Sequence, residues 1–201
     1  MEFFHWDLIA LITSAGYIGI LLSVFAESGL LIGIFLPGDS LLFAAGLLAS
    51  QGVFNLWWLL LGCFLAAVAG DNVGYSFGHK VGPRIFTRED SWLFRREYIT
   101  KTQNFYAKYG SKVIILARFI PVVRTVAPIL AGVGSMRYRT FFIYNVIGGL
   151  LWSIALTVLG YFMGSVIPDI ERYILPIIAI IIVVSVVPVL REIILARRKI
   201  Q

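Results

Sequence analysis

The stretch Val113-Ile114-Ile115-Leu116-Ala117-Arg118-Phe119-Ile120-Pro121-Val122-Val123-Arg124-Thr125-Val126-Ala127-Pro128 sets two arginines inside an otherwise apolar run. A charge at bilayer depth costs at least about 2.5–3.5 kcal/mol on insertion scales, so such residues usually face a cavity, a partner or a ligand rather than lipid. Arg118 and Arg124 are therefore the first candidate functional residues. Pro121 and Pro128 break the helical register of the same run. Upstream, Glu27 and Asp39 stand on either side of Phe35-Leu36-Pro37-Gly38, an apolar stretch with its own break. The chain thus carries two similar segments of opposite charge.

The composition around them is that of an integral membrane protein. Of 201 residues, 59% are hydrophobic and 14% charged, and the mean hydropathy is +0.89, well outside the range of soluble domains. Leu8 to Ala26 is uncharged for 19 residues, enough at about 1.5 Å per residue to cross a hydrocarbon core of roughly 30 Å. It has no basic n-region and no small-x-small cleavage site, and reads as a retained helix rather than a signal peptide. The single cysteine, Cys63, excludes an intrachain disulfide and a cysteine-based metal site. A formal charge of +6 would point to nucleic acid in a soluble domain. Here the basic residues border apolar spans, so they are expected to set orientation against anionic lipid, with no nucleic-acid partner.

Lysine and arginine are absent from residues 1–79, eight fall between Lys80 and Lys112, and Arg191, Arg197, Arg198 and Lys199 lie at the end. The positive-inside bias makes both basic regions, and with them the C-terminus, cytoplasmic. Counting back, 174–190 crosses outward, Pro168 to Arg172 turns on the far side, and 140–165 returns to Arg137 and Arg139. Residues 113–136 then begin and end on one side. A re-entrant helical hairpin satisfies this, its arms of about 11 residues reaching roughly 16 Å; an ordinary span with different flanks is the competing reading. Irregular backbone at that depth must be buried in protein or line a polar cavity.

The first half repeats the plan. Residues 28–50 form a hairpin broken at Pro37 and Gly38, Gln51 to Asn55 turn, and 56–78 spans into a basic cytoplasmic loop, 80–112. Within it, Pro83 to Tyr109 is either an amphipathic helix at the headgroups or a plain connection. Phe35-Leu36-Pro37 superposes on Phe119-Ile120-Pro121. The expected fold class is all-α integral membrane, a single domain over 1–201. It is an inverted repeat of two re-entrant helical hairpins, each followed by a transmembrane helix, with flanking transmembrane helices at 8–26 and 174–190. The N-terminus is then also cytoplasmic.

Gly70, Gly74, Gly78 and Gly82 recur every fourth residue, a smooth ridge that favours close helix packing over chemistry. Asp71 and Tyr75 follow two of these glycines and are candidates for supporting the site; for Asp71 a hydrated or structural role is an equal alternative. Glu27 and Asp39 are candidates for taking up and releasing protons, since poor hydration holds a proton on an acid and an opposed arginine expels it. Their alternative is structural pairing with Arg118 and Arg124. For the arginines the functional reading is phosphate recognition, which a planar guanidinium suits better than lysine does; snorkelling to the interface is the alternative. Trp57, Trp58, Tyr161 and Tyr173 read as interfacial anchors. His5 and His79 form no cluster, and no metal-ligand spacing, phosphate loop or nucleophile motif is present. No catalytic residue, metal or cofactor is expected, and hence no enzyme.

Glu27, Phe35-Leu36-Pro37-Gly38-Asp39, Gly70-Asp71-Asn72-Val73-Gly74-Tyr75-Ser76-Phe77-Gly78, Arg118-Phe119-Ile120-Pro121-Val122-Val123-Arg124 and Ala131-Gly132-Val133-Gly134-Ser135-Met136 together resemble the DedA family of bacterial inner-membrane proteins. The resemblance runs from about Leu8 to Leu190. It implies a multi-pass protein of the cytoplasmic membrane, related to eukaryotic scramblases, that moves phospholipid-type substrates between leaflets. It further implies undecaprenyl phosphate or phosphatidylethanolamine as substrate, protons as coupling ion, and a need for the acids at Glu27 and Asp39 and the arginines at Arg118 and Arg124. The expected function is a lipid-phosphate flippase, the alternative an uncoupled phospholipid scramblase or a scaffold. Apolar helix faces leave room for a homo-oligomer without specifying one.

Overall fold

The computed structural model describes residues 2–30, 38–85, 104–106 and 108–166. Pro37, the loop residues 86–103 and the expected helix 174–190 lie outside them. Among the described residues the secondary structure is helical, without strands: α1 (Glu2–Gly29), α2 (Gly38–Ser50), α3 (Leu56–Ile85), α4 (Val113–Ala117), α5 (Pro121–Val133) and α6 (Tyr138–Val166). Residues 104–106 are also helical.

The helices fall into two length classes. α3 has 30 residues and α6 has 29, longer at about 1.5 Å per residue than a hydrocarbon core of roughly 30 Å. α2 and α5 have 13 each, reaching only about 20 Å. Local chemistry sets the boundaries. Gly52 turns the chain after α2 with φ +78°, a conformation open to glycine at little cost. Asn55 then caps α3, its Oδ1 accepting from the backbone N–H groups of Trp57 at 3.0 Å and Trp58 at 3.3 Å. The Asn55 backbone N–H donates to the Tyr17 hydroxyl of α1 at 2.7 Å. α3 and α6 are long and apolar enough to cross a membrane, and only 33% of the most apolar window of each is buried within the protein. A soluble core helix would hide most of that surface. Instead Trp57, Trp58, Leu65, Phe162 and Val166 stand exposed, as side chains facing lipid do.

The chain divides into two compact units, one of Met1–Ser23, Phe35–Cys63 and Ile154–Gln201, the other of Val24–Ile34 and Phe64–Ser153. In the first, α2 lies directly on the backbone of α6. A Cβ added to Gly46 would fall 2.1 Å from the Thr157 carbonyl oxygen, and one on Gly160 would fall 2.0 Å from that of Phe43. Gln51 Nε2 donates to the Gly164 carbonyl at 3.1 Å, where α2 ends.

In the second unit α5 lies on α3 in the same manner. A Cβ on Gly78 would meet the Ile129 carbonyl oxygen at 2.1 Å, and one on Gly132 the Tyr75 carbonyl oxygen at 2.2 Å. The glycine ridge is thus a packing face, where small residues let backbones touch. It also explains why two helices outrun their expected ends. α3 continues beyond 78 to Ile85, with Gly82 still seated against Val133. α1 absorbs Ser28 and Gly29, which the sequence placed in the first hairpin, because Gly29 is locked against Gly70; a Cβ there would lie 2.6 Å from the Gly70 carbonyl oxygen.

Candidate functional site

Among the described residues the second unit buries four charged side chains: Glu27 on α1, Asp71 on α3, and Arg118 and Arg124 on either side of the α4–α5 turn. Arg118 caps the C-terminus of α4, Ile120 is extended at φ −118° and ψ 110°, and Pro121 opens α5. Proline disfavours helical backbone in the residue before it and supplies a preset φ at the first helical position. That single residue therefore ends one helix and starts the next, placing Arg118 before the turn and Arg124 after it. Pro128, the other expected break, lies inside α5 and does not end it. It is fully buried, and packing holds the helix through the hydrogen bond its missing N–H removes.

Each arginine meets an acid. Arg124 Nη2 pairs with the Glu27 carboxylate, and its guanidinium carbon sits 5.1 Å from the centre of the Trp152 ring, within cation–π range. Thr125 Oγ1 donates to the Glu27 carbonyl at 3.2 Å, tying α5 to α1 beside this pair. Glu27 Oε2 accepts no hydrogen bond among the described residues. Arg118 Nη2 pairs with Asp71 Oδ2 and also donates to Asn145 Oδ1. An isolated charge buried in this setting would cost several kcal/mol, so pairing is the condition for burying it at all.

The sequence proposed Glu27 and Asp39 as the acids opposite the arginines. Glu27 meets Arg124, and Asp71 meets Arg118. Asp39 belongs to the first unit, half-buried in the first turn of α2, where the helix dipole favours a carboxylate. Gly38 is the first residue of that helix. The Tyr75 hydroxyl donates to the Met136 carbonyl at 2.5 Å, and its ring stacks on Phe141 with centroids 4.5 Å apart. Tyr75 thereby joins α3 to the connection between α5 and α6.

Two residues of the cluster were not singled out from the sequence. Asn145 and Trp152, both on α6, are buried beside Arg118 and Arg124 respectively. The available signal for Asn145 was an amide near the start of a long apolar helix, where polar side chains seek partners on other helices. Trp152 carried no such signal. Among the described residues no three His, Cys, Asp or Glu side chains gather as a metal site would require.

Long apolar helices around a buried cluster of paired charges define a helical membrane protein with a polar interior site. The VTT domain matches residues 36–162, and the chain belongs to that family, the family of DedA. It is 47% identical over 184 residues to protein DedA of Escherichia coli K12, covering 90% of this chain and 84% of that one. It is 45% identical over 174 residues to an uncharacterized membrane protein of Mycobacterium tuberculosis H37Rv, covering 86% and 76% of the two chains. With the inner membrane protein YqjA of Escherichia coli K12 it shares 35% identity over 152 residues, 74% of this chain and 68% of that one. No solved structure matches the chain.

Proposed function

We propose that this protein is a secondary transporter that flips a lipid phosphate, undecaprenyl phosphate in the first instance, back to the cytoplasmic leaflet with protons as the coupling ion. The observation that carries this reading is the pair of buried arginine–carboxylate contacts on either side of one proline turn. Buried ion pairs stabilise proteins weakly compared with apolar side chains of the same volume. Exchange of partners gives them another use. A phosphate competes with a carboxylate for a guanidinium, offering the same forked acceptor with more charge. When phosphate takes Arg118 and Arg124, the released Glu27 binds a proton, and Asp39 is assigned the same role in the other unit. Asp71 and Tyr75 support Arg118 and the turn. No bond is made or broken in the lipid, so no catalytic residue or cofactor is assigned.

In this reading 30–50, shortened from the expected 28–50 by the end of α1, and 113–136 are re-entrant hairpins of an inverted repeat. The reading draws on the shortness of α2 and α5 and on the matching glycine contacts of the two units. Pro37, Gly38 and Pro121 serve as hinges at the hairpin breaks, with Pro128 inside the second arm. The helices 8–26, 56–78, 140–165 and 174–190 cross the bilayer, and both termini are cytoplasmic. Halves of this kind rock about a central site in other inverted-repeat carriers.

A second substrate, phosphatidylethanolamine, is favoured by one feature. The Glu27 carboxylate and the Trp152 ring lie together around the Arg124 cation, and both are groups that an ammonium headgroup seeks. Reconstituted vesicles separate the readings. Inward movement of undecaprenyl phosphate that follows an imposed pH gradient, and loses that response in Glu27→Gln, supports the proposal. Equilibration of any phospholipid regardless of the gradient makes the protein a passive scramblase. In cells whose only copy is Arg124→Ala, an unchanged surface pool of undecaprenyl phosphate removes the substrate assignment.

A further inference from the structure

Arg118 is gripped from two helices. From α3, Asp71 Oδ2 accepts from Nη2; from α6, Asn145 Oδ1 accepts from the same nitrogen. The Asn145 amide is itself oriented, because its Nδ2 donates to the Val68 carbonyl of α3 at 3.2 Å. That bond leaves the acceptor end of the amide facing the guanidinium. Asn145 is wholly buried, so no bulk water competes for it. One turn further along α6, Gly148 and Gly149 leave room for the arginine. A Cβ on Gly148 would lie 2.9 Å from Arg118 Cδ, and one on Gly149 would lie 3.5 Å from its Nη2 and 3.0 Å from Val68 Cγ2. The socket thus has an acid on one wall, an amide on another and bare backbone on a third. Its use of Nη2 leaves the buried Nε–H, beside Gly148, without an acceptor among the described residues.

We propose that Asn145 is the positioning residue of Arg118, turning the guanidinium so that Asp71 and Asn145 hold one nitrogen and the Nε edge is presented to a phosphate oxygen. The presentation of phosphate rests on the function proposed above; the orientation of Arg118 by Asn145 does not. Asp71 neutralises the charge, and Asn145 decides the direction.

Asparagine and aspartate have nearly the same shape, which permits a test that changes charge and leaves packing alone. The full-length protein is purified as Asp71→Asn, as Asn145→Asp and as the double exchange. The unfolding midpoint of each is measured in detergent, together with binding of undecaprenyl phosphate. Asp71→Asn leaves Arg118 without a counter-charge, and Asn145→Asp puts two carboxylates on one guanidinium. Each should lower the midpoint and weaken binding about tenfold, and the double exchange, with one acid again facing the arginine but the donor to the Val68 carbonyl lost, should recover part of both losses, as contacting residues in a cycle do. A double exchange no better than the worse single in the midpoint overturns the proposal, whatever happens to the lipid. A midpoint that recovers while Arg118→Gln binds the probe as tightly as the unaltered chain upholds the orienting role of Asn145 and removes Arg118 from phosphate binding.

Discussion

The two units solve one packing problem with the same device and differ in what they enclose. In the first, α2 of 13 residues rests on glycines of the long α6; in the second, α5 of 13 residues rests on glycines of the long α3. Gly160 and Gly164 of α6 take the place that Gly78 and Gly82 hold on α3, each pair four residues apart. Yet Glu27, Asp71, Arg118, Arg124 and Asn145, all buried, belong to the second unit. Among the described residues of the first unit, Thr157 is the buried polar side chain. The charges that the second unit encloses call for an explanation of their own. Exchange with a ligand supplies one.

That contrast yields five expectations, the first four running from the largest effect to the smallest. Asp71→Ala strands Arg118 and should cost about 3–5 kcal/mol, read from the unfolding midpoint in detergent. A loss near zero would mean that the charge of the second unit is dispensable for folding. Next, alanine at Gly78 or Gly160 forces a methyl into carbonyl oxygens 2.1 and 2.0 Å away, and each should cost about 1–3 kcal/mol through overpacking. Folded yield by gel filtration should fall alike for both; a marked inequality breaks the parallel between the units.

A smaller effect belongs to a tie from outside the helix pair. The Tyr106 hydroxyl donates to the Ala127 carbonyl of α5 at 3.0 Å, so Tyr106→Phe should cost about 1 kcal/mol. Burial pushes the Tyr106 phenol above its usual range. Because the folded pKa exceeds the unfolded one, this contribution is complete below about pH 10 and is lost as pH rises toward the folded value. Hydrogen exchange at α5 amides, followed into alkaline solution, should accelerate in the unaltered chain more than in Tyr106→Phe. Smallest of all is Thr157→Val. Its buried hydroxyl has no hydrogen-bond partner among the described residues, so the change loses no bond and, by removing an unsatisfied buried group, should be neutral to stabilising. By contrast Thr125→Val, which loses the bond to the Glu27 carbonyl, should cost about 1 kcal/mol.

Much of the site was legible before the structure because burial of charge in an apolar run has few explanations. Arg118, Arg124 and Glu27 stood out on those grounds, and the four-residue spacing of Gly70 to Gly82 read directly as a packing face. Pro121 was legible as a break because its ring acts on its immediate neighbour. Pro128 was misleading for the complementary reason: whether a proline ends a helix depends on what packs against it, and packing is not local.

From residue types and their order alone came the helical membrane character, the two proline-marked segments, and the identity of the charges that had to be sheltered. Transfer free energies and helical periodicity act over a few residues at a time, and they suffice for those conclusions. Which acid meets which arginine is a different kind of fact. Asp71 lies 47 residues from Arg118 along the chain and Asn145 lies 27. They converge because helices distant in sequence pack side by side, Gly149 of α6 against Val68 of α3 and Gly148 against Arg118, contacts that exist only once the helices have packed.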